Sequence, residues 1–493
     1  MKDVIIVGGG IGGLCTAIRL LVQNNGNINV TIIEKEQNVG GRVNTLEKDG
    51  FTFDLTASLL INPLSYTEIF KYAGKNYKDY FNIKKLDTLY KVFYSDGTIY
   101  EFPYDKEKRN KNLEEIEKGL SISYNKFIYK SLEKYLIAKE YFLSKPLICI
   151  KEVLNYECIK NLIIMNPFET SYKFVRKIIK NEKIQEYLLF QNMFIGLNPY
   201  ENSDIYSLIP AITESFGFGF IEGGMYEYIK SLQKLILELG GNIITNEMVH
   251  KVITVGNKAK SVMTNKKIYK ADIVIMNSDF PYNIKSLLSH NYEGLYSKAN
   301  IDSIDMSCSV FMLYLGLNKK YNVKVHNLYI SSNFINNMED PFKGILSDNP
   351  SMYIYCKEAE DNNDKSTLNI MVRVPNLSFS DIKWDNNVIK NMRDSIINEL
   401  SSLKEFKDIS ESIITEAYLT PNDIKEGYNC YNGNCFGINH NLEHSLYLRP
   451  SLKSKTVDNL YFIGASTHPG NGVSVIIDGS RVLSELIKRD VKF

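Results

Sequence analysis

Net charge is almost absent from this chain: 58 Lys and Arg stand against 57 Asp and Glu, leaving +1 over 493 residues. No excess of basic charge argues for nucleic acid, so none is expected as a partner. Cysteine is sparse and odd in number, seven scattered at 15, 149, 158, 308, 356, 430 and 435, which fits reduced thiols in a cytosolic protein. Cys430 and Cys435 form a lone C-x4-C, and one such pair cannot complete a four-ligand metal site, so no metal is expected. No apolar run approaches the ~20 residues that span a bilayer. No basic region precedes the first apolar run, so no secretory leader is expected. Internal repeats and low-complexity segments are missing as well.

The apolar fraction is 44% and the charged fraction 23%, ordinary values for a globular protein, and 493 residues are too many for one core. The strongest local signal is "DVIIVGGGIGGLCTAIRLLVQNNGNINVTIIEKE". It predicts a strand at Val4–Val7, a glycine-rich turn, a helix, and a second strand at Val30–Ile33 that ends at Glu34. Gly8, Gly10 and Gly13 fit G-x-G-x-x-G. The first glycine permits the tight turn, the second lets backbone approach a pyrophosphate, and the third lets helix and strand pack closely. Glu34 lies 21 residues past Gly13, where a carboxylate can accept hydrogen bonds from an adenosine ribose. Strand, turn, helix and acid together indicate a dinucleotide.

Beyond Glu34 the chain does not continue as a series of β-α units. "KEQNVGGRVNT" offers another close backbone approach at Gly40 and Gly41, with Arg42 able to reach phosphate, and "EKDGFTFDL" reads as a hairpin turning at Asp49-Gly50. Far downstream come a helix from Tyr226 to Leu239, strands near Ile243–Thr245 and Val249–Val255, and a buried strand at Ile273–Met276. The last strand of this set, Leu460 to Ile463, breaks into "GASTHPGNG" before a terminal helix. The nucleotide-binding region is therefore expected to assemble from three separated segments.

The chain resembles the flavin-dependent amine-oxidase-like superfamily. Within it, the resemblance is to carotenoid desaturases of the bacterial phytoene-desaturase type, nearest to thirty-carbon diapophytoene (dehydrosqualene) desaturases. It rests on "GGRVNTLEKDGFTFD" (40–54), "GKNYKDYF" (74–81), "NEKIQEYLLFQNMFIGLNP" (181–199), "FIEGGMYEYIKSL" (220–232), "SDNPSMYIY" (347–355), "LTPNDI" (419–424) and "NLYFIGASTHPGNGV" (459–473). The resemblance implies an α/β fold. A Rossmann-like FAD domain would draw on 1–75, 216–285 and 450–493, a mixed-sheet substrate domain on 76–110 and 286–449, and a helical subdomain on 111–215. It implies FAD as cofactor, held by Gly8, Gly10, Gly13, Glu34, Lys35, Gly41, Arg42, Val249, Gly464, Gly470, Gly472 and Val473. It also implies a polyisoprenoid or carotenoid substrate. Electrons would leave to oxygen or a quinone, because no second nicotinamide fingerprint is present.

In such a desaturation a hydride and a proton leave neighbouring carbons. His468, Glu222, Asp423 and Asp348 lie in matching motifs and are candidates for the base, while each could equally cap a turn or pair with a lysine. His468 could also orient the flavin or simply bond the bend. The helical stretch carries apolar residues at three- and four-residue spacing, and "SKPLICIKEVLNYECIKNLIIMNPF" is apolar and flanked by lysines. It reads either as an ordinary packed domain or as an interfacial surface, and the resemblance favours a cytoplasmic protein peripherally bound to the membrane. Two departures from the family pattern stand at the expected flavin face. Thr56 and Ala57 replace Gly-Pro, and Asn471 replaces Ala, with Ser474 and no proline after it. They keep open a related oxidation or isomerisation of a carotenoid-like chain, and a non-enzymatic prenyl-lipid carrier is the third reading.

Overall fold

Lys2–Val7, whose last four residues are all buried, lies at the centre of a five-stranded parallel sheet. The order is Asn242–Ile244, Ile28–Ile33, Lys2–Val7, Ile273–Met276, Leu460–Phe462. These strands come from both ends and the middle of the chain. The computed structural model describes residues 1–24, 26–56, 58–288, 294–358 and 365–491. Strands covered on both faces must be apolar throughout, which is why Ile273–Met276 carries no polar alternation. The register sets Val7 beside Ile33 and Met276, and Met276 beside Phe462, so four carboxyl ends finish at one edge.

Helix Ile11–Asn24 covers the sheet and packs on the last helix, Val473–Asp490, and on Tyr226–Glu238. Val249–Val255 does not join this sheet. It pairs with Lys258–Thr264 in a separate three-stranded antiparallel sheet beside it. The expected hairpin is Thr45–Lys48 against Phe51–Asp54, with Asp49 at φ 49 and Gly50 at φ 79, the left-handed pair that a two-residue turn requires.

A second, seven-stranded sheet runs in the order Ile413–Leu419, Ser309–Leu317, Ser366–Val374, Met352–Glu358, His326–Ile330, Thr88–Tyr94, Ile99–Pro103. Every pairing is antiparallel except His326–Ile330 with Thr88–Tyr94. One face buries Leu313, Leu315 and Ile370 under the helix Asn386–Ser402. The other buries Met312, Tyr353 and Met371 toward a helical layer that includes Leu120–Ala138, Glu182–Phe190 and Leu208–Phe216. Asp54 ties the two bodies together. It accepts hydrogen bonds from the Met225 N–H (3.0 Å), the Tyr355 hydroxyl (3.1 Å) and, at its carbonyl, the Asn369 amide (2.6 Å).

Candidate active site

The carboxyl ends of the parallel strands open into a cavity of about 820 Å³, within the range of small-molecule and cofactor sites. Gly8 leaves the first strand at φ +100, a conformation L side chains rarely adopt. A Cβ on Gly13 would stand 2.5 Å from the Gly8 carbonyl, so that glycine serves helix–strand contact and does not line the cavity. A Cβ on Gly10 would meet the Asn277 amide at 2.9 Å. Glu34 lines the cavity yet is 7% exposed, and its two oxygens accept the N–H groups of Gly9 (2.7 Å) and Glu36 (3.0 Å). Those bonds hold the carboxylate at the strand end with lone pairs to spare.

The second glycine pair closes the same wall. Gly40 N–H donates to the Gly9 carbonyl at 2.8 Å, and a Cβ on Gly41 would stand 3.4 Å from the Gly10 Cα. Arg42 lines the cavity and donates to the Cys435 carbonyl, while Lys35 lines its edge and pairs with Glu36 at 3.3 Å. Val249, at the start of its strand, also faces the cavity.

At the C-terminal motif, Gly464, Gly470 and Gly472 hold φ of +151, +136 and +117 and line the cavity. A Cβ on Gly464 would meet nothing within 4 Å, so that backbone borders open space. The last helix starts at Val473 with Gly472 as its N-cap and no side chain capping it, leaving N–H groups free to meet an anionic or carbonyl-bearing ligand. Two glycine-lined backbone walls, two helix N-termini and a buried carboxylate at the second strand fit a dinucleotide.

Glu222, Asp423 and Asp348 lie outside the cavity. Glu222 is 42% exposed, paired with Lys84 at 2.8 Å and bonded by Asn82. Asp423 accepts both the N–H (2.7 Å) and the hydroxyl (2.6 Å) of Thr420 in a helix-capping box. Glu222 and Asp423 hold local structure, and with none of the three carboxylates lining the cavity the base role considered for them has no geometric support. His468 lines the cavity, 2% exposed, with Nε2 on the Lys145 carbonyl at 2.8 Å. Thr56 lines it at φ 34 and donates to the Arg42 carbonyl at 2.7 Å; Asn471 lines it too, and Ala57 falls outside the described residues.

Several residues of the site lie outside the expected motifs. Asn277, Ser278 and Asp279 come directly after Ile273–Met276 and line the cavity, and the rule that ligands sit beyond the carboxyl ends of parallel strands marks them. Asp279 accepts from Ser466 (3.0 Å) and the Tyr431 N–H (2.9 Å), and burial pushes its carboxyl up to about 6, with Arg42 opposing. Arg449 is 3% exposed and donates to the carbonyls of Ile438, Asn439, His444, Ala465 and Thr467, pinning two cavity-lining loops. His440 is held well below its usual pKa by burial and by Arg449, and its Nε2 meets the Asn471 N–H at 3.4 Å. No local pattern distinguishes His440 or Arg449.

Away from the nucleotide end, the cavity continues as a hydrocarbon arm past Phe142, Leu143, Ile205, Leu208 and Ile209, opening near Ile150, Leu154 and Phe168. Tyr353, Met371 and Phe194 from the sheet side also line it. The acids that line the cavity, Glu34, Glu36, Glu247 and Asp279, all stand just past the carboxyl ends of parallel strands.

A family model described as flavin containing amine oxidoreductase matches residues 11–479. The chain is 32% identical over 499 residues, 99% of each chain, to the 4,4'-diapophytoene desaturase (4,4'-diaponeurosporene-forming) of Staphylococcus haemolyticus. It is 32% identical over 501 residues, again 99% of each chain, to the protein of that name from Staphylococcus aureus. Among solved structures, putrescine oxidase bound to putrescine matches at TM-score 0.63 and 14% identity, covering 99% of both chains. An oxidoreductase from Methanosarcina mazei matches at 0.62 and 16%, covering 98% of this chain and 100% of that one.

Proposed function

The chain belongs to the flavin containing amine oxidoreductase family, and on that premise we propose that it desaturates a linear polyisoprenoid of the 4,4'-diapophytoene type. The protein is an FAD-dependent oxidoreductase. The observation that carries the substrate reading is the lining of the cavity, one space bordered both by a dinucleotide-type turn and by hydrocarbon side chains. Its apolar lining suits a polyene with no polar handle, and the names of the relatives supply that class.

When bound, FAD supplies the acceptor for the hydride that desaturation removes. The residues in place to hold it are Gly8, Gly10, Glu34, Gly41, Arg42, Val249 and Gly464, with the Gly470–Val473 turn at the head of the last helix. Lys35 adds a cation at the rim, and Gly13 keeps the first helix against its strand. Phe142, Leu208 and Ile209 exclude water and confine the chain to one path, which serves the orientation that hydride transfer needs. Burial holds His440 and His468 neutral, so the apolar arm carries no fixed charge from them.

The arm opens at a surface suited to lipid. Ile150, Leu154, Ile163 and Phe168 are 51%, 59%, 74% and 83% exposed, with Lys151 and Lys160 exposed among them. Apolar side chains can enter a bilayer there while lysines meet anionic head groups. We read this as peripheral association that lets a polyene pass from membrane to cavity; no helix among the described residues is long and apolar enough to cross a membrane. Oxygen or a quinone would reoxidise the flavin.

The test is anaerobic addition of a thirty-carbon polyene in vesicles to the flavin-loaded protein. Bleaching of the flavin, and its recovery on adding a quinone with a more conjugated product formed, supports the reading. If no linear polyene bleaches it while an already conjugated carotenoid is oxidised at a terminal methyl, the altered Thr56 and Asn471 positions mark a different reaction.

A further inference from the structure

His468 reaches across 323 residues to the end of a helix. The helix Leu120–Ala138 continues as a wider turn, Lys139–Leu143, and the chain then leaves it through Ser144 and Lys145. The Ser144 N–H, at the C-cap, donates back to the Lys139 and Phe142 carbonyls, and Lys145 is the first residue beyond the helix. His468 Nε2 lies 2.8 Å from the Lys145 carbonyl, and its own backbone N–H is fixed on the Pro450 carbonyl at 2.9 Å. A carbonyl only accepts, so Nε2 carries a proton and donates. Burial, with Arg449 adding to it, brings the imidazole down to about 4 despite the Lys145 and Phe142 carbonyls, so the ring is neutral at neutral pH.

Both ends of this bond matter to the site. Two and four residues past His468 are Gly470 and Gly472, the cavity-facing turn. Just past Lys145 begins the segment that forms the mouth, with Leu147, Val153, Cys158 and Met165 packed in a small core on Ala138 and Phe142. That core is separate from the larger ones and packs also on Ile205, Leu446 and Tyr447, so it takes part of its position from the end of the Leu120–Leu143 helix.

We propose that His468 is a positioning residue: it caps the exit of that helix from across the fold, through the carbonyl one residue past the C-cap Ser144, and fastens the mouth of the hydrocarbon arm to the loop carrying Gly470 and Gly472. The mouth and the cofactor-facing backbone thereby keep one register, and a polyene threaded through the first arrives aligned at the second. The imidazole takes no proton in the reaction. The inference rests on the polyene reading for its consequence in turnover, but the cap itself is a property of the folded chain.

The experiment compares His468→Leu with His468→Gln, since a glutamine amide can place an N–H near the Nε2 position. Flavin content is measured in each. Hydrogen exchange of residues 144–155 should rise roughly fivefold in His468→Leu, the size expected for one neutral hydrogen bond, and return to the parent rate in His468→Gln. With a vesicle-borne polyene, His468→Leu should raise KM several-fold at nearly constant kcat, and His468→Gln should restore it. Unchanged exchange in His468→Leu overturns the cap. A kcat loss of a hundredfold or more in both variants, with KM unmoved, overturns it in favour of proton transfer. If His468→Leu does not fold, His468→Gln decides alone, because a cap survives that change and a base does not. If the parent protein turns over no polyene, the exchange result still judges the cap, and the substrate reading fails separately.

Discussion

The side-chain amide of Asn277 donates to the carbonyl of Gly8 at 3.0 Å, joining residues 269 positions apart. The same amide fills the space beside Gly10, Gly12 and Gly13, where a Cβ would stand 2.9, 2.5 and 3.0 Å from its atoms. The glycine-rich turn is thus supported from the neighbouring strand as well as by its own glycines. Replacing Asn277 with Ala should loosen the turn without blocking the cavity. About 1 kcal/mol for one neutral hydrogen bond corresponds to roughly a fivefold weaker hold on FAD. Flavin titration of the apoprotein checks this, and equal affinity in parent and variant would show the turn to be self-supporting.

Glu34→Ala and Gly10→Val should each cut flavin occupancy sharply, for different reasons. Glu34→Ala strips the acceptor from the Gly9 and Glu36 N–H groups and removes the carboxylate at the cavity wall. Gly10→Val drives carbon into the Asn277 amide and toward the cavity. The ratio of flavin to protein absorbance after gel filtration reports both, and stoichiometric flavin in both would move the nucleotide site elsewhere.

Ile163 and Phe168 test the surface at the mouth. Each is mostly exposed, and burying a large apolar side chain contributes about 1.5–3 kcal/mol. Ile163→Asp with Phe168→Asp should therefore weaken binding to anionic vesicles at least a hundredfold while leaving flavin content alone. Sedimentation with vesicles measures it. Equal pelleting of parent and variant would show that this face does not touch lipid.

Asp279 makes a prediction about pH. Burial raises its carboxyl from 3.8 to about 6 in the folded chain. Between those values the folded protein holds a proton that the unfolded chain has released, so rising pH disfavours the fold, and above about 6 the full penalty applies. Its size is on the order of 3 kcal/mol. Asp279→Asn can turn its oxygen to the Tyr431 N–H and its amide to the Ser466 hydroxyl, keeping both contacts neutral. The flavin-free variant should melt several degrees above the parent at pH 8 and converge with it near pH 4. A difference that ignores pH would rule out the carboxylate as its source.

Much of the nucleotide end was legible because local physics writes it into short stretches. Gly8, Gly10 and Gly13 stand where a side chain would strain the backbone or strike a neighbour, so a reader of the sequence meets the constraint directly. Ile273–Met276 and Leu460–Phe462 were visible as unalternating apolar runs because both faces of their sheet are covered. The hairpin at Asp49-Gly50 announced itself by its turn residues.

The roles of individual polar side chains were decided elsewhere. Glu222 and His468 both occupied matching motifs, yet one turns outward to Lys84 and the other inward to the end of a helix 323 residues away. Nothing in their neighbours' identities separates the two, since the difference lies in which element packs over each. Arg449 and His440 carry no local pattern at all, because their partners are backbone groups brought together by the meeting of loops 438–444 and 465–471. The sequence by itself determined the strand–turn–helix unit, its glycines and its acid, since those arise from steric limits within a few residues. The tertiary structure alone decided which titratable groups face the cavity and which merely hold the fold, because burial and partners are properties of contacts between distant segments.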